Sequence, residues 1–253
     1  MKTLYLDIET APNLGYVWAK YEQNVIAYEA ERYMLCFTYK WADSRKVHSV
    51  AQWDFPEAFA ADPMDDSYVL AAMVELLHEA DLVIGHNLDG FDVKMSNTFM
   101  VKNGILPPSP YQTVDTLKVA KRHFKFNSNK LGDLVEYLGI GEKLDAGGFS
   151  TWLGCMQGDA KAQSKMVRYA KRDTAVLPAL YERLRPWMRN HPTMNHEDPE
   201  ACPVCQEHGT LTKDGWRYTK VGKYQGYHCS ACGSYPSSRT AEKVEHKPER
   251  VSR

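Results

Sequence analysis

The sequence has no apolar run close to the ~20 residues that a transmembrane helix requires. It also lacks the apolar segment of a signal peptide, because Asp7 and Glu9 fall within its first ten residues. Internal repeats are absent as well. From these absences we expect neither a membrane-spanning protein, nor an exported protein, nor a repeat array. We therefore expect a soluble, cytoplasmic protein, which for a viral protein means the host cytoplasm.

Neither sign of charge is in excess, since 31 Lys and Arg face 32 Asp and Glu, for a formal net charge of −1. The balance is uneven along the chain, however. From Glu200 onward there are 9 basic and 6 acidic residues, so this segment carries +3 and the remainder −4. An acidic region suits metal ligands, and a basic region suits a polyanion. The 253 residues are enough for a full core and a small second module.

Cysteine is scarce, and its placement is informative. Cys36 and Cys155 stand alone, and in a reducing compartment each is expected to pack as a small apolar side chain. The other four form two C-x2-C pairs, Cys202 with Cys205 and Cys229 with Cys232. Two such pairs predict one structural zinc ion with four thiolate ligands, whereas a pair of disulfides would need a secretory context. With four cysteines available, His208 and His228 are expected to lie outside the ligand set.

Carboxylates occur where an apolar core should not tolerate them. Asp7 and Glu9 alternate with apolar residues in the sequence LDIET, so on a strand both acids point to the same face. Asp173 follows Tyr169 by one helical turn in the sequence YAKRD. Buried acids close to one another are costly unless cations accompany them. A divalent metal ion would supply that charge.

A further acid, Asp92, stands in the sequence GHNLDGFDVKM at residues 85–95. The segment joins a short apolar strand at 82–84 to a helix that begins at Asp92. A carboxylate at this place is stabilised by the positive end of the helix. Asp92 is therefore explained either as an ordinary helix cap or as a member of the acidic cluster.

The order LDIET, HNxxxFD and YxxxD resembles the three-motif signature of DEDD-type 3′–5′ exonucleases. The tyrosine marks the DEDDy branch of these DnaQ-like enzymes, which includes the proofreading exonuclease domains of family A and family B DNA polymerases. The resemblance covers roughly the first three-quarters of the chain. It implies an α/β fold of the ribonuclease H-like kind, in which helices flank a mixed sheet.

The same resemblance implies a site with two Mg²⁺ or Mn²⁺ ions held by carboxylates. Asp7 would bridge the two ions, and Glu9 and Asp173 would complete the ion on the nucleophile side. Asp92 would hold the second ion through water. Tyr169 would orient the attacking water, because a phenol with a pKa near ~10 is a poor base at neutral pH.

The expected substrate contacts are Thr10, Asn87, Phe91, Arg122, Lys125 and Lys130. The last three belong to a basic run at residues 118–130, which contains no acid and has two interleaved phenylalanines. Positive charge with aromatic faces suits single-stranded nucleic acid, and a solvated basic helix is the alternative. Asn87 is the candidate contact to the terminal nucleotide. His86 is expected to have a structural or substrate-contact role and not that of a general base.

Hydrophobic periodicity predicts strands at 2–8, 33–41, 46–52, 82–84, 113–114, 210–219 and 224–229, and helices at 67–80, 92–99, 117–124 and 131–138. Asp115 is expected to cap the helix at 117–124. The glycine-rich stretch 146–160 is expected to be irregular, with Trp152 either in a mobile loop or packed on the core. Pro178 is expected to kink the last long helix.

Composition divides the chain into an exonuclease domain at 1–190, a polar linker at 191–200, a zinc ribbon at 201–239 and a charged, disordered tail at 240–253. We expect the protein to shorten single-stranded or frayed DNA 3′ ends. The ribbon would dock nucleic acid or a partner such as a polymerase or another replication protein. An RNA 3′-end exonuclease and a catalytically silent nucleic-acid-binding protein are the alternatives, and the intact set of four carboxylates disfavours the second.

Overall fold

The computed structural model describes residues 1–21, 24–142, 147–194, 198–220 and 222–242. Its described residues divide into two compact units, Met1–Tyr181 and Glu182–Arg253. Most of the predicted tail, residues 243–253, and residues 195–197 of the predicted linker lie outside the described ranges. Within those ranges no helix combines the length and the apolarity that crossing a membrane requires.

The first unit is built on a mixed five-stranded sheet in the order β5-β4-β1-β6-β7. Its strands are β1 Thr3–Thr10, β4 Met34–Trp41, β5 His48–Ala51, β6 Leu82–Gly85 and β7 Gln112–Asp115; the short strands β2 Leu14–Tyr16 and β3 Ala27–Ala30 form a separate hairpin. β4 pairs antiparallel with β1 and β5, whereas β6 is parallel to β1 and β7. The parallel pairs are joined through helical connections, as parallel strands require.

Seven helices occur in the described ranges: α1 Pro56–Ala61, α2 Ser67–Glu79, α3 Asp92–Lys102, α4 Thr116–His123, α5 Leu131–Tyr137, α6 Phe149–Met156 and α7 Ala160–Leu184. The buried face of α2 consists of the apolar residues that its periodicity predicts, Val69, Leu70, Met73, Val74 and Leu77. The side chain of Asp115 accepts hydrogen bonds from the amides of Leu117 and Lys118, so its predicted role as the N-cap of α4 is confirmed.

The two faces of β1 pack against different helices. Leu4, Leu6 and Ile8 lie in the core together with residues of α2 and α3. Tyr5 points to the other face, where its ring meets that of Tyr181 in α7 edge-on at 6.3 Å. Because side chains alternate along a strand, the acids of LDIET share the α7 face with Tyr5.

One predicted segment was wrong, and two elements were not predicted, α1 and the β2–β3 hairpin. Part of the glycine-rich stretch forms α6, because Gly154 allows a close approach to α7: a Cβ there would lie 2.6 Å from that of Ala162. Trp152 is partly buried against a cluster that contains Cys155 and Met166, so the packed alternative holds. Ala146, at the start of the stretch, lies outside the described residues.

The second unit contains an antiparallel hairpin of β8 Leu211–Tyr218 and β9 Lys223–Cys229. The buried cluster around its cysteines is small: it consists of Val204 and three cysteines, with Cys205 and Leu211 partly buried against it. So little apolar surface cannot hold a module of this size by itself. A metal ion held by the four cysteines would add to the stability of this unit.

Candidate active site

The parallel pairing of β1 with β6 brings the acids of two motifs together. Asp92 is the first residue of α3, which follows β6 after a short turn. The amide of Ile8 donates a hydrogen bond of 3.1 Å to Oδ1 of the buried Asp92. Because Ile8 stands between Asp7 and Glu9, this bond holds Asp92 beside both acids of β1. The Asp92 side chain thus bonds to the sheet as well as to its own amide at the start of α3.

Helix α7 adds the remaining predicted residues, Tyr169 and Asp173. Asp173 lies close enough to the acids of β1 that its charge contributes to raising the pKa of both Asp7 and Glu9. Apolar residues of α7 near it are buried, namely Met166, Ala170, Val176, Leu177 and Leu180. The chain remains helical across Pro178. The structure therefore brings together all four carboxylates and the tyrosine.

Burial and mutual repulsion disfavour the charged forms of these acids. Burial, followed by the charges of its three acidic neighbours, raises the pKa of Asp7 well above its ordinary value. Burial and the charges of Asp173 and Asp92 raise the pKa of Glu9 to about 8. Burial raises the pKa of Asp92 to about 7, although the amide of Ile8 opposes this shift. The side chains of Asp7 and Glu9 keep some surface exposed, so a ligand from solvent can reach them.

Tyr169 is held in its neutral form beside Asp173. Burial raises the pKa of Tyr169 above that of a free phenol, and the neighbouring Asp173 carboxylate raises it further. Burial also raises the pKa of Asp173, against the opposing effects of the Tyr169 hydroxyl and the Arg172 charge. A phenol in this setting keeps its proton at neutral pH and can act as a hydrogen-bond donor.

The acidic cluster fits divalent cations. In the part of the chain that the structure describes, none of the four carboxylates forms an ion pair within 4.0 Å. Oxygen ligands of this kind suit Mg²⁺ or Mn²⁺. Only the cysteine cluster places three or more His, Cys, Asp or Glu ligand atoms within 4.8 Å of one another in those ranges. No three of the carboxylates bring an oxygen this close together in the described ranges, so Asp7, Glu9 and Asp173 would have to draw together to share one ion.

The raised pKa values predict how stability depends on pH in the absence of metal. Protonation of Glu9 and Asp92 is favoured by folding, so their contribution to stability is complete below about pH 4 and is lost as pH rises to about 8. With EDTA present we expect the melting temperature to be higher at pH 6 than at pH 8.5 by a few degrees. Adding Mg²⁺ at pH 8.5 should bring the melting temperature back up. Glu9→Gln should make the melting temperature depend less on pH. A wild-type melting temperature that rises from pH 6 to 8.5 in EDTA would contradict this prediction.

Residues 4–185 match the sequence family described as the RNase_H superfamily, RNase_H_2. The match spans more than half of the chain. The chain belongs to the RNase H superfamily. The predicted α/β fold, with a mixed sheet flanked by helices, is confirmed.

A solved structure with the same fold is that of a family B DNA polymerase from the hyperthermophilic archaeon Pyrobaculum calidifontis. The two chains share 16% identity with a TM-score of 0.56, over 74% of this chain and 25% of the polymerase chain. A comparison with curated proteins gives no match. At this identity the likeness shows the fold alone. Membership of the RNase H superfamily supports a nuclease, and nucleases of this fold use divalent metals.

In this RNase H superfamily member, a cavity of about 680 Å³ opens beside Tyr169 and Asp173. Its basic lining residues are Lys121, Lys130 and Arg172. Asn87 lines it too, and is held there with a left-handed backbone (φ 66°) by an amide hydrogen bond of 2.9 Å to Asp115. A cavity of this size with cationic walls next to an acidic cluster suits a phosphate-bearing ligand.

The predicted substrate contacts divide between this cavity and other places. Asn87 and Lys130 line it, whereas Arg122 and Lys125 are exposed and do not. Thr10 is partly buried at the end of β1, where the pairing with β4 shifts register. Phe91 packs partly buried against the core. The two phenylalanines of the basic run stack on each other at 5.1 Å, so the run is not a row of free aromatic faces.

His86 lines the cavity and links its wall segments by hydrogen bonds. Its Nδ1 lies 2.9 Å from the hydroxyl of Thr116, and its Nε2 lies 2.8 Å from the carbonyl oxygen of Asn129. Burial lowers the pKa of His86, which favours the neutral ring. With both nitrogens engaged it links the turn after β6 to α4 and to the loop before α5. This arrangement agrees with the structural role expected from the sequence.

Two features of the site were missed from the sequence, and so was one exposed hairpin. Arg172 and Lys121 line the cavity, and both stood in segments already singled out, YAKRD and the basic run. Asn129 also lines it, with a buried Oδ1 that has no hydrogen-bond partner in the described structure. The β2–β3 hairpin follows β1 directly and exposes large apolar side chains, namely Leu14, Tyr16, Val17, Trp18, Tyr21, Val25, Ile26 and Tyr28. An apolar surface of this extent is typical of a binding surface.

The second candidate metal centre lies in the other unit. The sulfur of Cys202 is 3.9 Å from that of Cys232, and that of Cys205 is 3.7 Å from that of Cys229. All four sulfurs lie within 4.8 Å of one another, and the four cysteines are free thiols. His208 instead contacts Asp198, and the ring of His228 packs on that of Tyr235. The donor set is therefore four thiols, which fits a tetrahedral zinc ion.

Proposed function

We propose that this protein is a two-metal-ion 3′–5′ exonuclease that hydrolyses phosphodiester bonds at DNA 3′ ends. The observation that carries the proposal is the convergence of Asp7, Glu9, Asp92 and Asp173 beside Tyr169, with raised pKa values and no ion pair in the described structure. Buried acids in such a group either keep their protons or bind a cation, and acids perturbed in this way are typical of functional sites. Mg²⁺ or Mn²⁺ fits the oxygen ligands.

Each side chain has a proposed task. Two bound divalent ions would activate the attacking water and offset negative charge on the leaving 3′ oxygen. Asp7 is the proposed ligand of both ions. Glu9 and Asp173 are the further ligands proposed for one ion, and Asp92 is the ligand proposed for the other. Tyr169, which keeps its proton, orients the attacking water by a hydrogen bond. His86 is not the base, since both of its ring nitrogens already have partners.

The cavity beside Tyr169 is the proposed place of the substrate strand. Lys121, Lys130 and Arg172 line it and would contact phosphate groups. Asn87 would contact the terminal nucleotide, and Thr10 and Phe91 would pack near it from the ends of β1 and α3. Arg122 and Lys125, exposed on the neighbouring surface, would attract the strand beyond the cavity.

The four cysteines are the proposed site of one structural Zn²⁺. We propose residues 1–190 as the catalytic domain, 191–200 as a linker and 201–239 as a zinc ribbon that docks nucleic acid or a protein partner. A polymerase or another replication protein is the partner class that we propose. We also propose that the protein acts in the cytoplasm.

A panel of end-labelled oligonucleotides tests the activity. Single-stranded, frayed and blunt DNA and the matching RNA strands, each labelled at the 5′ end, should be incubated with Mg²⁺, Mn²⁺ or EDTA. We expect a ladder that shortens from the 3′ end on DNA, most rapidly on single-stranded and frayed ends, and no cleavage in EDTA. Faster shortening of RNA would favour the RNA exonuclease. Binding without any cleavage would favour the silent nucleic-acid-binding protein.

Tyr169→Phe should slow cleavage by about 10-fold to 100-fold, the cost of losing one hydrogen bond to a reacting group. The effect should fall on kcat, and the Mg²⁺ dependence should stay unchanged, because every metal ligand remains. The matched control is Tyr68→Phe, which removes the hydroxyl of an exposed tyrosine in α2. A loss equal to that of Asp173→Ala would show that Tyr169 does more than orient water.

A further inference from the structure

Two fully buried hydroxyl groups join β4 to α7 next to the acidic cluster. Oγ1 of Thr38 donates a hydrogen bond of 3.0 Å to the carbonyl of Ala170. It also lies 2.6 Å from Oγ1 of Thr174. A hydroxyl has one proton, so if Thr38 donates to Ala170, Thr174 donates either to Oγ1 of Thr38 or to the carbonyl oxygen of Thr38, which lies 3.4 Å away. The result is a chain of hydrogen bonds from Thr174 through Thr38 to the backbone of α7.

Every member of this chain adjoins a residue of the candidate active site. Thr38 is the direct cross-strand partner of Asp7 in the pairing of β4 with β1, so both side chains leave the sheet on the same face. On α7, Ala170 follows Tyr169 and Thr174 follows Asp173 in sequence. Two stripes of the helix therefore run in parallel. One is fixed to the sheet by hydroxyl groups, and the other presents the tyrosine and the carboxylate.

Helix α7 lacks one of its backbone hydrogen bonds next to this connection. Pro178 has no amide hydrogen, so the carbonyl of Thr174 lacks its usual donor four residues later. Most of the other buried side chains of α7, including Met166, Val176 and Leu177, are apolar, whereas Gln163 and Tyr181 also carry polar groups. Apolar packing is not directional and does not by itself define how far a helix is rotated or shifted. A buried hydrogen-bonded pair is directional, and it costs free energy when its partners separate.

We propose that Thr38 and Thr174 are positioning residues, which set the rotation and axial shift of α7 so that Tyr169 and Asp173 face Asp7. This inference rests on the proposed function for its kinetic consequences. A displacement of about 1 Å at a reacting group can cost 100-fold in rate, so the loss of this link should appear in catalysis before it appears in stability.

The test compares the double variants T38V/T174V and T38S/T174S with the wild-type full chain. Valine keeps the shape of threonine and removes both partners at once, so the melting temperature should change little. We expect kcat for Mg²⁺-dependent cleavage of a single-stranded DNA oligonucleotide to fall by about 10-fold to 100-fold, with a smaller change in KM. Affinity for Mn²⁺, measured by electron paramagnetic resonance without nucleic acid, should weaken too. The serine variant keeps both hydroxyl groups and should restore both properties.

The control for lost stability is Val74→Ala, which opens a cavity on the α2 face of the sheet. It should lower the melting temperature while leaving kcat and Mn²⁺ affinity unchanged at temperatures well below melting. Wild-type kcat and Mn²⁺ affinity in T38V/T174V would overturn the inference, as would failure of the serine variant to restore them. If the wild-type protein cleaves nothing, the proposed function fails. In that case the Mn²⁺ affinity alone tests the inference. Weaker Mn²⁺ binding by T38V/T174V than by the wild-type chain would support it, and equal binding would overturn it.

Discussion

Asp7→Asn should lower Mg²⁺-dependent cleavage by at least about 1,000-fold, because the central ligand of a two-ion site supplies several kcal/mol of transition-state stabilisation. The same change should raise the melting temperature in EDTA. Asp7 lies among Glu9, Asp92 and Asp173, and burial together with these charges raises its pKa. Removing its charge relieves repulsion in the metal-free protein. Loss of activity with a gain in stability is the signature of a site that tolerates strain for the sake of function.

The control is Glu75→Gln, an equivalent change at an exposed acid on α2. It should leave both cleavage and the melting temperature unchanged. Glu9→Gln, Asp92→Asn and Asp173→Asn should also abolish most activity, and the losses should not add in double variants because the ligands act as a unit. Near-normal Mg²⁺-dependent cleavage by Asp7→Asn would falsify the assignment. Activity is measured as the initial rate of shortening of a 5′-labelled DNA strand.

The acidic cluster could be predicted from the sequence because each part of it follows a local rule. The strand period places Asp7 and Glu9 on one face, and the helix period places Tyr169 and Asp173 on one stripe. The order of the three motifs then supplied the long-range relation that periodicity does not contain. The sequence left open whether Asp92 caps its helix, and only the structure shows its side chain bonded to the amide of Ile8.

The parts of the site and of the fold that were not predicted depend on contacts between residues far apart in the sequence. Lys121 and Arg172 belong to different helices, and no local pattern indicates that both line one cavity. Helix α6 was hidden by its glycines, of which Gly154 is required where α6 approaches α7 most closely. The β2–β3 hairpin was missed because its apolar residues are exposed, so they lack the one-sided burial on which strand prediction relies.

Removal of zinc is expected to affect the two units differently. Cys229→Ser, or treatment of the purified protein with a strong chelator, should remove the zinc ion and unfold residues 201–239. The reason is the small apolar cluster around the cysteines, which consists of Val204 and three of the cysteines, with Cys205 and Leu211 partly buried against it. A module of about 40 residues with so small a core does not hold its shape without metal. Hydrogen exchange should show protection lost in β8 and β9 and kept in the sheet of the first unit.

Metal analysis of the purified wild-type protein should give about one zinc per chain, as expected for four thiolate ligands. Cys155→Ser, which changes a buried cysteine outside the cluster, should keep that zinc content. The zinc-free variant should still cleave short oligonucleotides with Mg²⁺, because the acids all lie in the first unit. It should lose affinity for long or structured DNA, or for a protein partner, since the ribbon is the proposed docking module. Two results would contradict this division of labour: a zinc-free chain that keeps β8 and β9 protected, and a folded first unit that loses all cleavage when the zinc is removed.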